Sequence, residues 1–185
     1  MKTYTGASAI ISASSNGNME IIRLLLESNA DANARLHTKE VISFRAMIRS
    51  LTALENVKQY IFNLVLEKGV PSVQQYARVK SKDYIFDVMA GSSALHIACC
   101  LGHVEIVECL LKYKASVNLE KEDRTTPLFY ACKLGHDRIV RLLLDNGADI
   151  TLYRDDGKSP LAIAKERGHK YIEMKLRKHF KKMKA

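Results

Sequence analysis

The dipeptide Gly-His recurs at 102–103, 135–136 and 168–169, at intervals of 33 residues. Self-similarity at a fixed period of this length marks a chain built from stacked copies of one supersecondary unit, each too small to bury its own apolar face. The rest of the unit repeats with the dipeptide. Ser93, Thr126 and Ser159 open the apolar runs SALHIA, TPLFYA and SPLAIA, and each glycine is followed by a second apolar run: VEIVECLL, DRIVRLLL and KYIEMKL. The N-terminal stretch repeats the theme, with Ser8 before AIISA, then Gly17-Asn18 and MEIIRLLL.

Each recurring residue has a local physical task. Ser8, Ser93, Thr126 and Ser159 are N-cap types, whose side-chain oxygen satisfies an orphan amide at a helix start. Pro127 and Pro160 then take the first helical position, where a missing N–H costs nothing. Gly17, Gly102, Gly135 and Gly168 are placed to end the first helix in a left-handed conformation. The second runs carry paired leucines after an Ile-Val or Ile-Ile step, the stripe of a helix buried on one side. Asn29, Gly69 and Gly147 close that second helix by the same left-handed stop. Lys114 stands where the glycine would fall in the unit that begins near residue 88, a departure that costs some stability.

A unit of turn, helix, tight turn and helix, with TPL at the front and GADI at the back, resembles the ankyrin repeat. The resemblance covers 88–151 most fully, then 3–33, then 154–176. It implies an all-α solenoid of five helix-turn-helix units with hairpin-like loops, forming a single domain over 1–185. The units fall at about 3–35, 40–70, 88–120, 121–153 and 154–185, with an insertion at 71–87. The second unit is irregular. Its second helix reads as VKQYIFNLVLEKGV, Val57 to Val70, but no TPLH-like start precedes it. The insertion places Val73, Tyr76 and Ala77 on one helical face after Pro71, and is either a binding finger or a cover for the irregular unit.

The stretch ALHIACCLGHVEIVECLL holds three cysteines and two histidines, yet its register argues for packing. Cys99 and Cys132 stand one unit apart, a helix spacing of roughly 8–10 Å, whereas a disulfide needs alpha carbons within about 7 Å. Cys109 sits among leucines. His103, His136 and His169 form a ladder with one rung per unit, too widely spaced for two rungs to share a zinc ion held at about 2 Å. His96, at the family's TPLH position, resembles a histidine that bonds the neighbouring turn. Asp156-Gly157-Lys158-Ser159 looks like the end of a phosphate-binding loop, but residue 152, where its first glycine would stand, is leucine. Glu105 with Glu108, and Asp155 with Asp156, read as surface acids. No catalytic constellation, cofactor site or metal site is expected.

Charge is unevenly placed. The net +9 of the chain gathers in its last residues: from Lys165 onward nine basic side chains face only Glu166 and Glu173, a local net of +7. Arguments about nucleic acid or membranes therefore concern the C-terminal helix and not the body of the fold. Leu142, Leu144 and Val140 of the fourth unit become Lys175, Arg177 and Glu173 in the fifth, which is the polar outer face a terminal unit needs. Ile172, Leu176, Phe180 and Met183 form one stripe expected to pack inward. Thr3 to Met19 lacks the roughly 7–15 apolar residues of a secretory segment, and Val88 to Val104 falls short of a bilayer span of roughly 20. A cytoplasmic location is expected, with the basic tail as a candidate nuclear address.

Function in the family resembled is protein–protein recognition. Carried onto this chain, tip positions are Glu122, Asp123 and Thr125 in one unit, and Asp155, Asp156 and Lys158 in the next. First-helix positions on the concave side are Cys100, Leu101, Lys133, Leu134, Glu166 and Arg167, with Leu101 and Leu134 expected as an adjacent exposed pair able to anchor a partner. The expected role is an intracellular adaptor or scaffold, monomeric, binding a protein partner. The alternatives are association of the Lys175–Lys184 tail with nucleic acid or anionic lipid, and a microbial effector that recognises a host protein.

Overall fold

The computed structural model describes residues 5–35, 59, 62–63, 66–68, 70–80 and 91–183, with the backbone alone at 5–8, 72 and 76. The described residues form helices: α1 Thr5–Asn16, α2 Met19–Glu27, α3 Pro71–Arg78, α4 Ala94–Leu101, α5 Val104–Lys112, α6 Pro127–Leu134, α7 Asp137–Asp145, α8 Pro160–Glu166 and α9 Lys170–Met183. An isolated antiparallel bridge joins Arg35 to Ser93. The capping chemistry falls where the residue types place it in the last three units, but Ser8, expected as an N-cap, lies inside α1, which begins at Thr5. The Ser93, Thr126 and Ser159 oxygens accept from the amides of His96, Phe129 and Ala162, and Asn18 accepts from Ile21 at 3.1 Å. Gly102 and Gly135 end α4 and α6 at φ +81° and +79°. Lys114 adopts φ +59°, the left-handed stop that costs a side-chain-bearing residue about 1–2 kcal/mol.

First helices pack on first helices and second on second: α4 on α6 and α6 on α8, with α5 on α7 and α7 on α9. The apolar positions of these helices merge into one continuous core containing Leu95, Ile97, Leu110, Leu128, Ile139, Leu143, Ile163, Ile172 and Leu176. Leu142, next to the fully buried Leu143, is only half-buried. Cys99, Cys100, Cys109 and Cys132 are free thiols buried in this core. Among the described residues, no helix is long and apolar enough to cross a membrane.

The stack departs from expectation between its first and third sequence units. The second unit, expected at 40–70, lies between them in sequence, but α1 packs directly on α4 and α2 on α5. The contact repeats in detail. Asn33 Oδ1 accepts from the Ser116 amide at 2.6 Å, and the equivalent Asn118 Oδ1 accepts from the Asp149 amide at 2.8 Å one unit later. The sequence units 3–35 and 88–120 are therefore immediate neighbours in space. They share the asparagine, glycine and histidine contacts that lock one unit to the next. Most of 40–70, and all of 81–87, lies outside the described residues. What is described there is helical at 59, 62–63 and 66–68, and Phe62, Leu66 and Val70 pack against the core.

The apolar stripe of α9 also differs from expectation. Ile172 and Leu176 are buried, but Phe180 is 39% and Met183 57% exposed. At Lys170–Met183 this helix is longer than α7, Asp137–Asp145, on which it packs. Its last turn therefore extends past the surface that buries the first two rungs.

Candidate protein-interaction surface

The turns between units carry the tip positions. In each, an aspartate accepts from a backbone amide two residues on: Asp123 Oδ1 from Thr125 at 3.1 Å and Asp156 Oδ1 from Lys158 at 3.1 Å. The Asp155 amide donates to the Asp123 carbonyl at 3.2 Å, which ties one tip to the next. Arg154 clamps the junction, with ion pairs to Asp123 at 3.1 Å and Asp156 at 3.3 Å. Its guanidinium lies 5.2 Å from the Phe129 ring centroid. Burial opposes ionisation of Asp123, but the Thr125 hydroxyl and amide, with Lys121 and Arg154, together hold its carboxyl below the usual range. At the edge of the stack Lys158 donates to Glu166 at 2.6 Å, a bond that keeps the Glu166 carboxyl below its ordinary value.

Glu122, Asp155, Asp156, Glu166 and Arg167 are exposed, and Asp123 and Lys158 are half-buried. Arg154, which bonds Asp123 and Asp156 among these seven, was not singled out by the sequence pattern. A basic residue two places before the repeated aspartate, Lys121 before Asp123 and Arg154 before Asp156, is the signal that was available. Thr125 is buried and instead accepts, through its carbonyl, from the Lys121 amide at 2.9 Å.

The concave first-helix positions divide differently. Glu166 and Arg167 are open to solvent, but Cys100, Leu101, Lys133 and Leu134 are buried. Leu101 is 0% and Leu134 8% exposed, which corrects the expectation of an exposed apolar pair. The cause is tertiary: α3, from the expected insertion, lies against α6, and Val70 sits at the end of α4. Burial raises the Cys100 thiol to about 11 despite Lys133 and Lys121 nearby, so it is a protonated thiol with no nucleophilic readiness.

The histidines are couplings between units. His96 Nδ1 accepts from the Ser93 amide at 3.3 Å, and its Nε2 donates to the Thr125 carbonyl at 3.1 Å, reaching the turn of the next unit. His136 Nε2 donates to the Cys100 carbonyl, and His169 Nε2 to the Lys133 carbonyl, both at 3.3 Å. Each ring rests on the glycine of the preceding unit, His136 on Gly102 and His169 on Gly135, and His103 takes the same place over Gly17. Among the described residues no group of histidine, cysteine and acidic side chains is placed to hold a metal ion. Glu105 and Glu108 both face Arg138, at 4.0 and 3.0 Å, as exposed ion pairs.

These burials set a pH dependence. Desolvation pushes His96 down to about 3 against the Thr125 carbonyl bond that favours charge, and lowers His103 and His136 in the same direction. The unfolded chain takes up protons near the ordinary value while the folded chain does not, so stability is present above about pH 6.5 and is lost as pH falls towards the folded values. Between pH 7.5 and 5, His96 alone should remove about 2 kcal/mol. Urea unfolding across that range checks it, and His96→Gln should flatten the profile.

The ankyrin-repeat family model in three copies matches residues 50–154, and the single-repeat model matches 5–36. The chain belongs to the ankyrin repeat family. Ankyrin repeats are generally protein–protein interaction modules and are typically non-enzymatic. No curated protein matches the chain.

Proposed function

We propose that the protein is an intracellular adaptor that binds one protein partner through the tips of its last two inter-unit turns and the adjoining first helix of its terminal unit. The observation that carries this reading is the clamped tip. Arg154, bound to Asp123 and Asp156, ties together the two turns that carry Glu122, Asp155 and Lys158, and Lys158 pairs with Glu166 at the end of α8, beside Arg167. Rigid presentation of charged groups lowers the ordering cost of recognition and sets partner choice by charge complementarity. Asp155→Lys with Glu166→Lys should abolish capture of that partner from lysate with little change in melting temperature. Identical sets of proteins recovered by wild type and variant would reject the tip surface.

A second reading rests on α9. Tyr171, Met174, Phe180 and Met183 are exposed on a helix that also displays Lys170, Arg177, Lys178, Lys181 and Lys182. Apolar side chains interspersed with cations suit an anionic lipid surface. Under this reading the chain co-sediments with vesicles containing phosphatidylserine at low salt. The Lys178→Glu, Lys181→Glu, Lys182→Glu variant does not, and raised salt releases the wild type. Equal sedimentation of wild type and variant would remove it.

A further inference from the structure

Phe62, Leu66 and Val70 pack against the core, and at Val70 the backbone itself is tied to the stack. There the Val70 amide donates to the Leu101 carbonyl at 3.1 Å. That carbonyl belongs to the last turn of α4, where no partner exists within the helix. The Val70 side chain lies over Gly102 so closely that a Cβ on Gly102 would stand 2.6 Å from Val70 Cγ2. From this anchor the chain enters α3 at Pro71, the first helical position. Helix α3 then lies against α6, with Val73 2% and Ala77 0% exposed. These two residues, four apart, make one helical face, while Gln75 and Arg78 are turned to solvent.

The terminal unit supplies an internal comparison. Glu166 and Arg167 occupy the register of Cys100 and Leu101, and of Lys133 and Leu134, yet only the terminal pair is open to solvent. Val70 lies over the end of α4, at Leu101 and Gly102, and α3 lies against α6. The molecule thus already holds a short amphipathic helix against the first helix of one unit, anchored at the end of the first helix of the unit before it.

We infer that the concave face of α4 and α6 is a docking groove for a short amphipathic helix, that α3 is its built-in occupant, and that a partner helix with a branched aliphatic and a small residue four apart enters only by displacing α3. The inference extends the interaction reading to a second face and to its control, and it does not depend on the tip residues. A tethered occupant competes at an effective concentration near the millimolar range, and the apparent affinity of an incoming helix falls by the fraction of molecules with the groove open.

The test uses the full-length chain and a fluorescent synthetic peptide of residues 68–80, KGVPSVQQYARVK. In the double variant Val73→Asp, Ala77→Glu the tethered helix loses its buried face while the groove is unaltered. The peptide should bind this variant at least about 100-fold more tightly than wild type. A second variant, with residues 71–78 replaced by a glycine-serine stretch of equal length, should behave the same way. Absence of binding to a variant that keeps wild-type helix content and a cooperative melt would overturn the inference. If neither variant folds, amide hydrogen exchange on wild type decides. Millimolar peptide should accelerate exchange in 71–78 by displacing it, and an unchanged rate would overturn the inference. Because the peptide needs neither Asp155 nor Glu166, failure here is separable from failure of the tip surface.

Discussion

His96→Ala should lower the free energy of unfolding by about 3–5 kcal/mol, because it combines a cavity with an orphaned buried acceptor. The residue is 1% exposed and its ring makes bonds in two directions. Within its own unit Nδ1 accepts from the Ser93 amide and Ser93 Oγ accepts from the His96 amide, a reciprocal cap at the start of α4. Towards the next unit Nε2 donates to the Thr125 carbonyl. Alanine removes all the side-chain bonds and leaves that carbonyl without its donor. The equivalent positions one and two units on are Phe129 and Ala162, so no neighbouring rung can take over. Denaturant unfolding should show a lowered midpoint with an unchanged slope. A loss under about 1 kcal/mol would mean that water replaces the ring's bonds.

Gly135→Ala should cost about 2–4 kcal/mol, the sum of backbone strain at positive φ and a steric clash. Gly135 sits at φ +79°, and a Cβ there would lie 2.6 Å from His169 Cε1 and 2.9 Å from Nδ1. The imidazole would have to shift, weakening its bond to the Lys133 carbonyl and loosening the terminal unit. Gly157 separates the two contributions, since it adopts φ +76° with nothing within 4 Å of its virtual Cβ. Gly157→Ala should therefore cost only about 1–2 kcal/mol. Thermal melts of the two variants side by side check the difference, and equal losses would show that the His169 ring moves aside freely.

Why the Gly-His pair recurs is clear from these contacts. The glycine supplies both the left-handed turn and the bare surface on which the next unit's histidine rests. The seating of His136 on Gly102 and of His169 on Gly135 came from the structure, but the structural role of the histidine ladder was readable in advance from its fixed spacing. The same holds for the caps at Ser93, Thr126 and Ser159, and for the burial of Cys99 and Cys132. Unit-to-unit contacts in a solenoid join equivalent positions, so a repeat in sequence becomes a repeat in space.

The errors fall where that equivalence stops. Phe180 and Met183 continue an apolar stripe whose periodicity is sound, but they lie past the end of the neighbouring helix, and no pattern within α9 states how long α7 is. Residues 40–70 carry a second-helix pattern in a unit that lies between the first and third in sequence, and no pattern states where that unit rests in space. Asn33 bonding Ser116 and His103 resting on Gly17 show the closed junction of the first and third units.

The seven tip and terminal positions from Glu122 to Arg167 were legible as surface, since a turn of charged residues has few ways to be buried. The concave positions were not. Leu101 and Leu134 have the register of an exposed pair, and their local sequence is the same whether solvent or α3 covers them. Caps, helix breaks, the core stripe and the family follow from residue spacing alone, because each arises from bonds between residues a few places or one unit apart. Which units become neighbours, and which face is left open, depends on where residues far along the chain come to rest. That was decided by the competition among apolar surfaces for burial, which acts without regard to separation in sequence.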